Sequence, residues 1–504
     1  MILNSFKNID RFFKAKSVVF IGGKDIIVPI RELKRRGFKG KIFVVNRKRL
    51  KIENYKCLRK ISDLPLSPDA AFIAVPASEV ISTVKELKAA KCKGIVCYSA
   101  GFKEIGKTGK NLEDNLIKEC GDIPLIGPNC YGFINFSDNV ALWPFSHKGA
   151  RCKKGIALIT QSGMLSSDII MATRSLPISF MVSVGNQAVT KIEDLIFYFC
   201  KKTEVSCIAI HIEGISDLTK FVEASKFSFN AGKPIIVYKT GRSQIGKRIA
   251  KSHTGSLSGN NEVYSALFKQ LAITEVHDPI QLLETAKLFS ITSPIKTNRI
   301  LAFTCSGGGA AMVADNAEEL DLRLPDFSKT QKTSLKKVLP KIATISNPLD
   351  YTTPIWGIPE KTGPVFKNAL KDKYSTAILV QDFPNPQIND TEKFYLNDTR
   401  AFINECKLAG ITPIICSTLP ENINEDIGNK ILNLGGVPMQ GIFNCLKAIK
   451  HVFDYHNFKD KKELQSFHLV RYKNFKSTFA TEYDGKLQIK AKGIKVPFGK
   501  IIDD

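Results

Sequence analysis

The segment Ser252-His253-Thr254-Gly255-Ser256-Leu257-Ser258-Gly259 sets one imidazole among small residues whose backbone can press against a phosphate. It follows Pro234-Ile235-Ile236-Val237-Tyr238-Lys239-Thr240-Gly241, which predicts a buried strand ending in a turn. The chain has 7 histidines in 504 residues, and one on a Gly/Ser loop beyond a strand end suits chemistry better than packing. An imidazole becomes a nucleophile toward phosphorus when a carboxylate on one ring nitrogen fixes its tautomer. Glu213, just after the predicted strand Cys207–Ile212, is the matching carboxylate. Consecutive strands of a parallel sheet end on one edge, which makes Glu213 and His253 neighbours across about 40 residues of sequence. The competing reading of Glu213 is a first-turn acid of the next helix.

Two further loops have the construction of anion cradles. Thr160-Gln161-Ser162-Gly163 and Cys305-Ser306-Gly307-Gly308-Gly309 each follow a predicted strand and open a predicted helix. A helix start offers free N–H donors and the positive end of the dipole, and glycine lets a phosphate come close. Gln161, Ser162, Gly163, Ser306, Gly307 and Gly308 are therefore the phosphate-binding candidates, against the plainer reading of two tight turns. His211, inside a strand, reads as a core residue, and His147 sits in a loop with no mechanism attached. No histidine pair has the i, i+4 spacing of a helical zinc site, so no metal site is expected, and no Gly-x-Ser-x-Gly elbow points to a serine hydrolase.

The elements that must position these loops follow a repeated strand-then-helix rhythm, the pattern of parallel sheets covered on both faces. A first unit contains Ser17–Ile21, Lys41–Val45, Ala70–Val75, Gly94–Tyr98 and Leu125–Cys130, each ending in small or turn-forming residues. A second runs from Gly155–Thr160 to the strand before His253, and a third contains Arg299–Cys305, Ser375–Gln381 and Ile411–Cys416. The fold class is thus α/β, with domains expected at 1–148, 149–293 and 294–458 and a Lys-rich linker at 459–504. No apolar run approaches the roughly 20 residues that cross a bilayer, and no signal peptide is visible at the start. Twelve cysteines without CxxC pairs point to a reducing cytoplasm. The formal charge is +25, and residues 1–60 hold 18 Lys/Arg against 4 Asp/Glu. Either most of these lysines are simply solvated, or the first domain holds a polyanionic small molecule. The basic residues are not interleaved with aromatic ones in a nucleic-acid motif.

Read in order, Gly127-Pro128-Asn129-Cys130, Gln161-Ser162-Gly163, Ser183-Val184-Gly185-Asn186, Glu213-Gly214-Ile215, Gly241-Arg242-Ser243, Ser252-His253-Thr254-Gly255, Ser306-Gly307-Gly308 and Asn347-Pro348-Leu349-Asp350 form a specific set. The chain resembles the nucleoside-diphosphate-forming (ADP-forming) acyl-CoA synthetases, relatives of succinyl-CoA synthetase, over about residues 10–455. The resemblance implies a Rossmann-like CoA-binding domain followed by two flavodoxin-like domains, an acid–CoA ligase activity, and His253 as transient phosphoryl carrier supported by Glu213. It implies CoA contacts at Gly22, Gly23, Lys24, Asn46, Lys48, Val75, Pro76, Ala100, Gly101, Asn129 and Cys130, and a substrate pocket near Asn186 and Asp350. CoA and a carboxylic acid would be substrates, and ATP/ADP with Mg2+ would bind on an ATP-grasp domain or subunit, in an oligomer. The family's first loop has a serine where this chain reads Gly22-Gly23-Lys24-Asp25, and Lys24 with Asn46-Arg47-Lys48-Arg49 would replace it electrostatically. The ending resembles the point where the ATP-grasp domain begins in fused relatives. Trp143, Phe145, Trp356 and Asp382-Phe383-Pro384 are candidates for the acid pocket, with core packing the competing reading. Two alternatives stand beside the ligase: a ligase-lyase acting on a CoA-activated zwitterionic acid, and a non-catalytic CoA-binding regulatory protein.

Overall fold

In the computed structural model, residues 2–254, 261–385, 387, 390–461 and 481–499 are described, with residues 2–7, 250–254 and 461 described by backbone alone. Three sheets organise the chain. The first contains β1 (Ser17–Gly22), β2 (Lys41–Val45), β3 (Lys51–Ile52), β4 (Tyr55–Leu58), β5 (Ala70–Ala74), β6 (Ile95–Cys97) and β7 (Leu125–Ile126), in the order β3-β4-β2-β1-β5-β6-β7. The second contains β8 (Gly132–Asn135), β9 (Val140–Leu142), β10 (Gly155–Thr160), β11 (Ile178–Ser183), β12 (Val205–Ile212), β13 (Ile235–Lys239) and β14 (Thr274–Val276), in the order β14-β13-β12-β10-β11-β8-β9. The third contains β15 (Ile300–Thr304), β16 (Leu349–Asp350), β17 (Thr376–Val380), β18 (Thr412–Ser417) and β19 (Val437–Gln440), in the order β16-β15-β17-β18-β19.

Pairing is parallel except at β3–β4 and where β8 joins β9 and β11. Strands such as Val18-Val19-Phe20-Ile21 and Ile156-Ala157-Leu158-Ile159 are buried along their length. They carry helices on both faces, which is why they read as unbroken apolar runs. The strands β8 and β9 lie upstream of the boundary expected at residue 148 yet belong to the second sheet. They pair antiparallel there, and an antiparallel register leaves no mark in a strand–helix rhythm.

Each sheet reverses its winding beside its first central strand. The chain leaves β1 toward β2 and returns on the other side as β5; β10 stands likewise between β11 and β12, and β15 between β16 and β17. In open α/β sheets the crevice at such a reversal is where ligands bind. The candidate loops leave from these strands: Gly22-Gly23 beside Val75-Pro76, Gln161-Ser162-Gly163 beside Glu213, and Ser306-Gly307 beside Asp382.

One apolar cluster joins the second and third sheets, with Leu158, Met181 and Ala209 from one and Ala302, Ile378 and Ile414 from the other. Helix Ile442–Lys461 seals it through Leu446, Ile449 and Val452 and packs on helix Pro279–Ile291. Residues 1–464 form one compact unit; residues 465–504 form another, with helix Glu482–Ala491 capped by Thr481. No helix among the described residues is long and apolar enough to cross a membrane.

Candidate active site

A cleft of about 1290 Å³ opens at the carboxyl edge of the first sheet. Its wall includes Gly22, Gly23, Asn46, Lys48, Val75 and Pro76, all expected, together with Arg47, Arg49, Arg59, Lys60 and Lys91. Five of the 18 Lys/Arg of the first 60 residues (Arg47, Lys48, Arg49, Arg59 and Lys60) thus line one ligand-sized opening. Asn46 shapes this loop: its side-chain amide donates to the Gly22 carbonyl at 2.7 Å, and its carbonyl accepts from the backbone of Lys48 and Arg49 at 2.9 and 2.7 Å. Arg59 donates to the Arg47 carbonyl at 2.6 Å and holds the basic turn from below. Glycine is required at position 22, where φ is +154° and a β-carbon would fall 2.5 Å from the Ala74 carbonyl oxygen.

A smaller cavity of about 450 Å³ shares Ala74, Val75 and Pro76 with this cleft. It reaches Ala100, Asn129 and Cys130, three more of the expected positions, and adds Tyr131. Lys24 and Gly101 line neither space; Gly101 instead donates its N–H to Glu104 Oε1 at 2.7 Å. Cys130 is fully enclosed, and burial holds its thiol well above the ordinary range, so it is an inert wall.

At the second sheet Ser162 caps helix Gly163–Met171, its hydroxyl accepting from the Leu165 N–H at 3.3 Å. Gln161 does something the sequence did not suggest. Its side-chain carbonyl accepts from the backbone N–H groups of Glu213 and, at 3.3 Å, Gly214; its amide donates to the Gly214 carbonyl at 2.9 Å. The side chain is thus a brace that fixes the Glu213 loop against the phosphate-loop candidate. His211, expected in the core, is buried and meets Thr240 Oγ1 at 3.1 Å; burial, with Lys239 nearby, pushes its pKa down to about 4.

The backbone at Ser252-His253-Thr254 is the last turn of helix Gln244–Thr254, not the loop expected from its small residues. Gln244 to Lys251 supply enough helix-forming residues to carry the helix that far. The helix lies against the turn Lys103–Ile105 of the first domain. The His253 side chain and Gly255–Gly259 lie outside the described residues.

At the third sheet Ser306 caps helix Gly307–Glu319 and accepts from Gly309 N–H at 3.4 Å. Asp350 pairs in register with Thr304, and its carboxylate stands beside Gly307, where a β-carbon would lie 3.6 Å from Oδ2. Asn186 is differently engaged: its amide donates to Glu104 at 2.6 Å and Glu113 at 2.9 Å, a junction with the first domain, and it lines neither cavity. Asp382 accepts from Thr418 N–H, Leu419 N–H and Asn422, so it ties two loops together, and Phe383 is core. Trp143 is buried, and Trp356 packs on Phe394 and Tyr395. His147 is buried against Glu32, 3.1 Å from its carboxylate, where desolvation and Arg36 push the imidazole down to about 4.

Sequence reasoning missed Arg59, Lys60 and Tyr131. Arg59-Lys60 was a visible basic pair, but nothing placed it beside the 46–49 loop. Tyr131 lies one residue beyond the Gly127–Cys130 motif.

The sequence profile of a CoA binding domain matches residues 28–135, and that of a succinyl-CoA ligase like flavodoxin domain matches residues 153–289. An ADP-forming acetate–CoA ligase of Methanocaldococcus jannaschii is 36% identical over 346 residues, 66% of this chain and 48% of that protein. The chain thus spans about half the length of that relative. The alpha subunit of ADP-forming acetate–CoA ligase II from Pyrococcus furiosus is 32% identical over 393 residues, 75% of this chain and 81% of the relative. In fold, the chain is similar to an acetyl-coenzyme A synthetase from Ca. Korarchaeum cryptofilum solved with phosphate and ADP, with a TM-score of 0.77 and 24% identity, covering 90% of this chain and 97% of that one. Similarity that runs through both matched domains and most of a whole alpha subunit is more than a shared fold: the chain belongs to the family of ADP-forming acyl-CoA synthetases that contains the acetate–CoA ligases.

Proposed function

We propose that this chain carries the acid-, CoA- and phosphate-handling half of an ADP-forming acid–CoA ligase, with His253 as its phosphoryl carrier. The observation that carries the reading is the Gln161 brace. It joins the Glu213 loop to the helix start at Ser162-Gly163, at the reversal point of the sheet whose β13 leads into the helix bearing His253. Toward ATP, a phosphate oxygen attacks the thioester carbon of acyl-CoA, the C–S bond breaks, and CoA leaves as the thiol. A ring nitrogen of His253 then attacks the phosphorus of the acyl phosphate, and the carboxylate leaves. Glu213 holds the other ring nitrogen, and the Ser162-Gly163 and Ser306-Gly307 helix starts neutralise the phosphoryl oxygens. The ligase direction is the reverse. The basic cleft takes the phosphates of CoA, and the cavity beyond it receives the thiol end.

The nucleotide, with Mg2+, would bind on an ATP-grasp partner or domain; the naming of Pyrococcus furiosus relatives as alpha subunits supports a partner chain in an oligomer. Mostly buried, free cysteines suit a reducing cytoplasm. The test is transfer of label from γ-labelled ATP to this chain in the presence of an ATP-grasp subunit. Wild type should acquire acid-labile label, His253→Ala none, and Glu213→Gln label at a rate lower by about 100-fold. Equal labelling of wild type and His253→Ala would remove the carrier role.

A further inference from the structure

Tyr131 stands where the two halves of the proposed site meet. It lines the smaller cavity, which shares Ala74-Val75-Pro76 with the basic cleft. Its ring lies flat over the start of the phosphate-loop helix: a β-carbon on Gly163 would fall 3.0 Å from its Cζ. Tyr131 is half-buried, and several contacts hold it. Its hydroxyl donates to Met164 Sδ at 3.4 Å, its backbone N–H donates to Ser183 Oγ at 3.2 Å, and Trp143 and Phe145 meet it edge-to-face at 5.8 and 4.8 Å.

On the reading given above, sulfur approaches from the cavity and phosphate sits at the helix start. The acyl carbon is bonded to sulfur on one side of the reaction and to a phosphate oxygen on the other, so it must lie between them. Tyr131 both lines the cavity and touches Gly163. We propose that Tyr131 is the specificity-determining residue for the acid, its fixed ring closing the acyl site to all but short aliphatic chains. A ring clamped by two aromatic neighbours and a thioether contact cannot swing aside for a bulky acid without breaking that packing.

The test uses the full chain and the half-reaction that needs no nucleotide: labelled phosphate with acetyl-CoA or phenylacetyl-CoA, scored as acid-labile label and paired with calorimetry of both thioesters. Wild type should discriminate against phenylacetyl-CoA, Tyr131→Ala should shrink the gap by about tenfold or more, and Tyr131→Phe, which keeps the ring, should retain the wild-type ratio. Tyr131→Leu, closer in volume, replaces Tyr131→Ala if the latter does not fold. Wild type accepting both thioesters equally, or an unchanged ratio in the Ala and Leu variants, overturns the proposal. If no thioester labels the wild type, the carrier reading fails, and calorimetry alone decides Tyr131: an unchanged preference between the thioesters in Tyr131→Ala overturns it, and a narrowed one upholds it.

Discussion

The most consequential residue-scale finding is that Gln161 acts on the protein. Its type and place, at the mouth of a glycine loop, fit a phosphate donor, but three hydrogen bonds engage its side chain with Glu213 and Gly214. Gln161→Ala should therefore slow phosphohistidine formation by about tenfold through a misplaced Glu213, while leaving the CoA dissociation constant unchanged by calorimetry. Arg59 shows the opposite pattern, a residue with no motif that the fold carries to the cleft, where it supports Arg47 and Arg49. Arg59→Ala should weaken CoA binding by about tenfold at low ionic strength, and the difference should narrow as salt rises. Both roles depend on contacts that only the folded chain makes, across 52 residues or more for Gln161 and across 12 and 10 for Arg59. The residue types were legible in the sequence; their partners were not.

Among the elements, the strand ends were legible because parallel strands buried on both faces leave unbroken runs of Val, Ile and Leu, and because each run stops at Gly, Pro or Ser. The order of strands in each sheet was not legible, and it is the order that creates three reversal points and brings Gln161 beside Glu213. The antiparallel pair β8–β9 and the helix reaching Thr254 escaped for related reasons: pairing and capping are settled by neighbours in space. One loop contact joins two motifs that the sequence showed only in order. Gly185 has φ +54°, and a β-carbon there would fall 2.2 Å from the Asn129 carbonyl oxygen, while the Asn186 N–H donates to the Pro128 carbonyl at 2.9 Å. Gly185→Ala should cost roughly 1–3 kcal/mol, seen as a lowered thermal midpoint.

Across the whole molecule, charge and burial set the response to pH. Burial, the largest cause in each case, pushes His147 and His211 down to about 4 and His451 to about 3, against an ordinary 6.5. The unfolded chain therefore binds these protons first, and stability should be complete above about pH 6.5 and fall as pH drops toward 4. A shift as large as that of His211 corresponds to on the order of 3 kcal/mol. Urea midpoints should decline from pH 7 to pH 5, and His211→Asn should lower the midpoint at pH 7 while flattening that decline. The net charge of +25 gathers in part around the basic cleft, the proposed CoA site, so one composition figure would reflect a ligand site as well as a solvated surface. The central claim is that the molecule moves a phosphoryl group through His253. Incubating the full chain with acetyl-CoA and labelled phosphate, then mapping the modified peptide by mass spectrometry, tests it most directly. The account predicts acid-labile phosphate on the peptide containing His253, absent from His253→Ala; label on another residue, or label that persists in His253→Ala, would contradict it.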